Sequence, residues 1–253
     1  MPLFEVKNLT KHFGGLAAVD SLNFSIHKGE ITGLIGPNGA GKTTVFNMIS
    51  GVFPPTKGET VFLNKNITKL KPNKRAAMGI ARTFQITTLF DEMTVMQNVL
   101  LGGFKKSGAG FWGIMLNTGS ARARAAENLE NAEKIIEFMG LSGQKQELAK
   151  NLPHGFQMRL ELAIALAVKP VLLLLDEPLT GMNQEEIKTM LYHINKIRKQ
   201  GCAILLVEHN MRAVTSICDR IVVLNFGKKI AEGIPRDIIQ NKEVIKAYLG
   251  DEE

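Results

Sequence analysis

Apolar and polar residues alternate over Phe4 to Val6 and Leu22 to Ile26, which predicts half-buried antiparallel strands, and His27-Lys28-Gly29-Glu30 forms a turn into the apolar run Ile31 to Ile35. The amino-terminal part is therefore strand-rich. Val171 to Leu175 and Ala203 to Val207 are apolar without alternation, which requires cover on both faces, as in a parallel sheet flanked by helices. Between them, Ile187, Met190, Leu191, Ile194 and Ile197 fall at helical spacing within Glu185 to Lys199, giving a βαβ unit. Ile221 to Ile230 surrounds the turn Asn225-Phe226-Gly227-Lys228 and predicts a hairpin, followed by a short helix ending near Leu249-Gly250. From Thr94 to about Ala167 the pattern changes. Leu129, Ala132, Ile135, Ile136 and Met139 repeat with helical period, and the Gly-rich stretch Gly102 to Gly119 breaks the run, so a helical insert is expected in an α/β core. Phe111 and Trp112 within that stretch either pack locally or anchor a partner.

Composition adds limits. With 45% hydrophobic and 22% charged residues, 253 positions suit a globular chain with a sizeable core. The greasiest run, Val171 to Leu175, stops at Asp176, far short of the roughly 20 apolar residues that cross a bilayer. The start, Met-Pro-Leu-Phe-Glu-Val-Lys, lacks a basic region followed by an apolar segment, so a cytosolic location is expected. Cys202 and Cys218 have no metal-ligand spacing and read as small buried or half-buried fillers in a reducing compartment. The net charge of +7, from 31 basic and 24 acidic residues, permits nucleic acid, an anionic membrane surface or nucleotide as partner and does not choose among them. The basic clusters Lys69 to Arg75 and Arg122 to Arg124 read as solvated faces, and neither is interleaved with aromatics as a single-strand nucleic-acid track would be.

The chemistry concentrates after Ile35. Residues Gly36, Pro37, Asn38, Gly39, Ala40, Gly41, Lys42 and Thr43, followed by Thr44, form a complete G-x-x-x-x-G-K-[ST] loop between a strand and a helix expected from Thr43 to Ser50. The glycines let backbone N–H groups turn around anionic oxygens, where a Cβ would block the approach; Lys42 can reach the β- and γ-phosphates, and Thr43 can hold Mg²⁺. The helix start adds its positive end. The buried strand ending at Leu175 delivers Asp176-Glu177-Pro178 to a sheet edge, where Asp176 would sit near Mg²⁺ through water and Glu177 would polarise an attacking water; a salt-bridged surface turn is the alternative. His209 closes the second buried strand and should emerge on the same edge, able to donate to a γ-phosphate. Gln85 offers a neutral amide to Mg²⁺ and to the attacking water.

Glycine loop, glutamine, acidic strand end and histidine, in this order, resemble the ATP-binding-cassette ATPases of ABC transporters over Phe4 to Gly250. The resemblance implies a P-loop NTPase core of ABC-ATPase type with an N-terminal antiparallel β-subdomain and a helical subdomain. A single domain, 4–250, would use 4–85 and about 168–250 for the β-subdomain and core and about 86–167 for the helical part. It also implies that Phe13 stacks on adenine, against the alternative of a strand-end core residue, and that ATP and Mg²⁺ are bound between two cassettes. The family's signature segment falls at Leu152 to Leu160, so His154 and Gly155 would face the γ-phosphate of a second subunit; Leu141-Ser142-Gly143-Gln144 lies too far from the acidic strand and reads as a turn. Pro153-His154 replaces the usual Ser-Gly pair, Phe156 and Ile164 depart from the usual Gln and Arg, and Asn183 stands where Asp is usual. Proline brings neither hydroxyl nor N–H to that loop.

Within the family, Ala81 to Gln85, Asp176 to Asn183, the Gly102 to Arg124 insert and Val244 to Gly250 resemble the branched-chain amino acid uptake group, and the insert is similar to the larger of its two ATPase subunits. That likeness implies polytopic membrane permease subunits, a homodimer or a heterodimer with a paralogous ATPase, a periplasmic or extracellular substrate-binding protein, no nucleic acid, and a place on the inner face of the membrane. Related groups serve urea, other amides or lipopolysaccharide export, and a nucleotide-sensing subunit with weak hydrolysis is a further alternative. DNA-repair and translation cassettes usually carry long coiled coils, zinc cysteines or a second cassette, none of which is seen in this sequence.

Overall fold

The computed structural model describes residues 1–83, 89–103 and 119–249. They form two compact units, one built from Met1–Arg82, Val171–Thr180 and Ile194–Glu253, the other from Thr83–Pro170 and Gly181–His193. The first unit opens with β1 (Phe4–Phe13), β2 (Leu16–Ile26), β3 (Ile31–Ile35), α1 (Lys42–Ser50), β4 (Lys57–Phe62), β5 (Lys65–Asn66), α2 (Pro72–Ala77) and β6 (Ile80–Arg82). The second holds α3 (Val95–Gly103), α4 (Gly119–Phe138) and α5 (His154–Ala167). After these come β7 (Leu172–Asp176), α6 (Gln184–Lys199), which belongs in part to each unit, β8 (Ala203–Val207), α7 (Met211–Ile217), β9 (Arg220–Asn225), β10 (Lys228–Gly233), α8 (Pro235–Gln240) and α9 (Lys242–Leu249).

In the first unit a four-stranded antiparallel sheet runs β2-β1-β4-β5, and a six-stranded sheet runs β10-β9-β3-β8-β7-β6, parallel except for β10. β3, β7 and β8 are buried along their whole length, which explains why their sequences are apolar without alternation, save for Thr32 in β3 and Asp176 at the end of β7. One face of β7 and β8, through Leu172, Leu174, Leu205 and Val207, joins Phe4, Phe46 and Phe62 in a single core. Toward α7, Gly33 leaves room for Cys218 and Val214, since a Cβ there would lie 3.0 Å from the Cys218 sulfur.

The basic cluster Lys69 to Arg75 is not a solvated face throughout, because Arg75 is 1% exposed. Its guanidinium donates to the carbonyls of Met48 and Ile49 at the end of α1, at 2.8 and 2.5 Å, and to Leu70 and Thr68, at 2.9 Å each. The charge serves as a cap for α1, taking the Ile49 carbonyl and sharing that of Met48 with the Gly51 N–H, where the negative helix end favours a cation. Arg124 is exposed.

In the second unit, Thr94 and Gln97 exchange hydrogen bonds that start α3, and buried Asn98 ties the preceding loop through Phe90, Met93 and Thr94. Ala132 and Ile136 on α4 and Met139 just after it are buried, whereas Leu129 is exposed. The first glycines of the expected break are helical. α3 continues through Gly102, whose missing Cβ admits the Ile164 carbonyl of α5 at close range. Phe111 and Trp112 lie outside the described residues.

Candidate nucleotide site

The phosphate-type loop leaves β3 at Gly36 and enters α1 at Lys42. Two glycines in it are required by neighbouring backbone. At Gly36, with φ 153, a Cβ would overlap the Leu224 carbonyl, and at Gly41, with φ 100, it would lie 2.5 Å from the Ala18 carbonyl. A Cβ at Gly39 would meet nothing within 4 Å, so crowding inside the protein explains the outer two glycines and a ligand is not needed to do so. The β9–β10 turn braces the loop from behind, with the Gly227 N–H donating to Ala40 O at 3.0 Å. Tyr248 of α9 reaches the same loop: burial raises its phenol's titration, and a backbone hydrogen bond from Gly36 pulls it back.

Lys42 is buried, and its ammonium donates to Gly36 O at 2.7 Å and Pro37 O at 2.8 Å. An ammonium has three donors, so this fold-back leaves one for an anionic oxygen. Burial pulls Lys42 below the usual lysine range, and the charges of Glu177 and Asp176 oppose that shift, so both carboxylates act on the lysine. Asn38, Gly39 and Thr43 are exposed, Pro37 and Thr44 are half-buried, and Ala40 is buried. A loop with an exposed hydroxyl at Thr43, one remaining ammonium donor on Lys42 and no internal group against Gly39 fits a phosphate chain with its counter-ion.

β7 and β8 pair in parallel with Asp176 opposite Val207, so the residues that follow each strand leave the sheet at one edge. There His209 Nε2 lies 2.6 Å from Glu177 Oε1, and the Thr180 hydroxyl donates to Oε2 at 3.5 Å. Glu177 has φ 51, a left-handed backbone that a non-glycine residue adopts at a cost of about 1 kcal/mol or more, and its N–H is held by Val207 O at 2.9 Å. Asp176 is buried against Arg82, 3.0 Å away; burial pushes its carboxyl up, and the guanidinium pulls it back.

Two residues here escape sequence reading. Arg82 joins Asp176 to Asn47 and Ser50 of α1, and a charged residue in the otherwise apolar Ile80-Ala81-Arg82 was the available signal. Glu208, 3% exposed, accepts from the N–H groups of Leu179 and His209 at 2.9 and 3.1 Å, fixing the segment after Glu177 to the end of β8. Burial raises its carboxyl, and the backbone donors oppose that.

Phe13 is 49% exposed at the end of β1, so it is not a core residue. Its ring meets Phe53 edge-on at 5.6 Å, and the Lys11 ammonium sits 5.3 Å from its centre. Gln85 lies outside the described residues. In the second unit Pro153 precedes α5 and its carbonyl accepts from Phe156 and Gln157 at 2.9 and 3.1 Å. His154 lies beside Gly181, and Gly155 is buried under the Glu186 carboxylate. Asn183 starts α6 by accepting from the N–H groups of Glu185 and Glu186, both at 3.0 Å, while its own N–H donates to Glu186 at 2.9 Å. Segment 142–144 is a single 3-10 turn. Among the described residues no group of three or more His, Cys, Asp or Glu is arranged to hold a metal, and no helix is long and apolar enough to cross a membrane.

A glycine loop between strand and helix, with an acid and a histidine on neighbouring parallel strand ends, defines a P-loop nucleotide hydrolase. Residues 19–180 match the ABC transporter family model, and the chain belongs to that family as an ATP-binding, ATP-hydrolysing cassette subunit. Residues 228–253 match the model described as branched-chain amino acid ATP-binding cassette transporter. The chain is 41% identical to the high-affinity branched-chain amino acid transport ATP-binding protein LivG of Escherichia coli K12, over 99% of this chain and 98% of that one. It is 39% identical to BraF of Pseudomonas aeruginosa, of the same description, with the same coverage. A crystal structure of a nucleotide-free ATP-binding cassette from an ABC transporter superposes with a TM-score of 0.87 at 30% identity, covering 99% of this chain and all of that one. A cassette in its ADP conformation gives 0.86 at 30% identity with the same coverage.

Proposed function

We propose that this subunit powers uptake of branched-chain amino acids, closing with a second cassette around two ATP molecules and reopening after hydrolysis. The observation that carries the hydrolytic part is the 2.6 Å contact between Glu177 and His209 at the strand ends, with Lys42 under the influence of the same carboxylate. In this reading Gly36 to Thr44 cradle the phosphates, Lys42 neutralises them, and Phe13 stacks on adenine. Glu177 takes a proton from the attacking water, and His209, bonded to it, orients the carboxylate and can turn its ring toward the γ-phosphate. Thr43, Gln85 and Asp176 would hold Mg²⁺. When bound, the ion neutralises charge on the phosphate oxygens.

His154, Gly155 and the start of α5 serve the second cassette's γ-phosphate, and 86–167 acts as the helical subdomain that meets polytopic permease subunits on the inner face of the membrane. A substrate-binding protein completes the complex. The cargo reading is supported by the descriptions of the 228–253 match and of the LivG and BraF relatives. Replacing Glu177 with Gln should abolish phosphate release and leave an ATP-bound dimer in size-exclusion chromatography. Undiminished release removes the base assignment. In the complex assembled with its permease and binding protein, leucine, isoleucine or valine should stimulate ATPase activity; stimulation by urea or another amide instead would reassign the cargo.

A further inference from the structure

The Arg82 guanidinium reaches two elements of the first unit at once. One terminal nitrogen donates to Asp176 Oδ2 at 3.0 Å, and the other to Asn47 Oδ1 at 2.6 Å and Ser50 Oγ at 3.0 Å. The guanidinium carbon also lies 5.2 Å from the centre of the Phe46 ring. Both ionic partners are withdrawn from water, the arginine side chain 10% exposed and the aspartate 2%. Thr43, Asn47 and Ser50 follow one another at i, i+4 and i+7, so they share a face of α1. Arg82 therefore grips the far end of the stripe that begins with Thr43, and its other arm holds Asp176.

We propose that Arg82 is a positioning residue for the magnesium site, setting the separation between Asp176 and the Thr43 face of α1. Stability alone does not account for this arrangement, because a buried ion pair is commonly matched or exceeded by apolar residues of similar volume. A planar fork with donors at fixed angles, in contrast, can hold a carboxylate and a helix together in a way a lysine point charge cannot. A partner behind a metal-associated group commonly changes metal affinity without touching the ion. The inference rests on the reading that Asp176 and Thr43 serve Mg²⁺.

The test is titration of the full chain with a fluorescent ATP analogue, with and without Mg²⁺, taking the ratio of the two affinities. In Arg82→Lys, which keeps the charge and loses the fork, the Mg²⁺-dependent gain should fall about 10-fold, while the Mg²⁺-free affinity stays within about 2-fold because Lys42 and the loop are untouched. Asn47→Ala, which removes one anchor on α1, should lower the gain in the same direction by less. An unchanged gain in folded Arg82→Lys overturns the proposal, as does an equal loss in both titrations, which marks general damage. Should Arg82→Lys fail to fold, Asn47→Ala decides, and a wild-type gain in it overturns the proposal. A native chain with no Mg²⁺-dependent gain would remove the magnesium reading itself, a result distinct from loss of Arg82's part in it.

Discussion

Arg75 is buried while Lys71 and Lys74, in the same short basic run, are exposed. Nothing local distinguishes it. Two of its acceptors, Met48 and Ile49, lie 27 and 26 positions away in sequence, so composition sees only a cluster of charge. Burial lowers its titration to about 10, still far above neutrality, and the carbonyls around it replace the water that the cation has lost. Arg75→Met should therefore destabilise the protein by about 2 kcal/mol or more in urea unfolding, because it orphans the Ile49 carbonyl, while that of Met48 keeps the Gly51 N–H; a loss under about 1 kcal/mol would mean that water takes the arginine's place. The cysteines, expected as fillers, are both buried, and burial pushes each thiol from 9.0 up to about 12. Since the folded-state values are raised, the protonated thiols favour the folded state fully below about pH 9, and that contribution fades as pH rises toward about 12. Between pH 9 and 11 the wild type should lose stability more steeply than Cys202→Ala/Cys218→Ala, by an amount on the order of a few kcal/mol. Parallel pH profiles for the two proteins would refute this.

Elements were legible where one rule governed them. The non-alternating runs became β7 and β8 because both faces are covered, the helical spacing before Ala203 became α6, and Asn225 to Lys228 turned as a hairpin. β1 and β2 proved longer than their alternating cores, since antiparallel pairing continues to Phe13 and Leu16 through register shifts that break the period of two. Gly102 misled for a related reason: a glycine reads as a breaker, yet here it serves close helix packing against Ile164. Asn183, a departure from the family's aspartate, has an element-scale role as the cap of α6. Its side chain and Glu186 form a reciprocal pair, so Asn183→Ala should cost about 1 kcal/mol and Asn183→Asp only a few tenths. Thermal unfolding of the two variants separates this role from one confined to a cassette interface, because a residue needed only at that interface would leave the stability of the isolated chain unchanged in both.

At the scale of the molecule, Gly36, Asp176, Glu177 and His209 meet because β3, β8 and β7 are consecutive parallel strands, so motifs spread along the chain finish at one sheet edge. Motif order and strand character were enough to foresee that edge. The supports beneath it were not visible, since the Arg82 to Asp176 pair is separated by 94 positions and the Glu208 to Leu179 bond by 29, and neither has a spacing that local periodicity reports. All the site groups named in this edge belong to the first unit, whose core also contains Phe46 and Val45 from α1. Ligand energy at the loop should therefore reach the packing of that whole unit. ATP at about 100 times its dissociation constant should add about 2.7 kcal/mol to the stability of the state that binds it, and for a chain of this length each kcal/mol corresponds to a rise of about 2–4 °C in Tm. Differential scanning calorimetry should show that rise in the transition containing the first unit. Lys42→Ala should lose most of it, because the variant removes the buried ammonium and leaves the Gly36 and Gly41 backbone contacts in place. A full shift in Lys42→Ala would place the anchoring of the phosphates in the loop amides and α1 alone, and would assign the lysine to the fold-back contacts with Gly36 and Pro37.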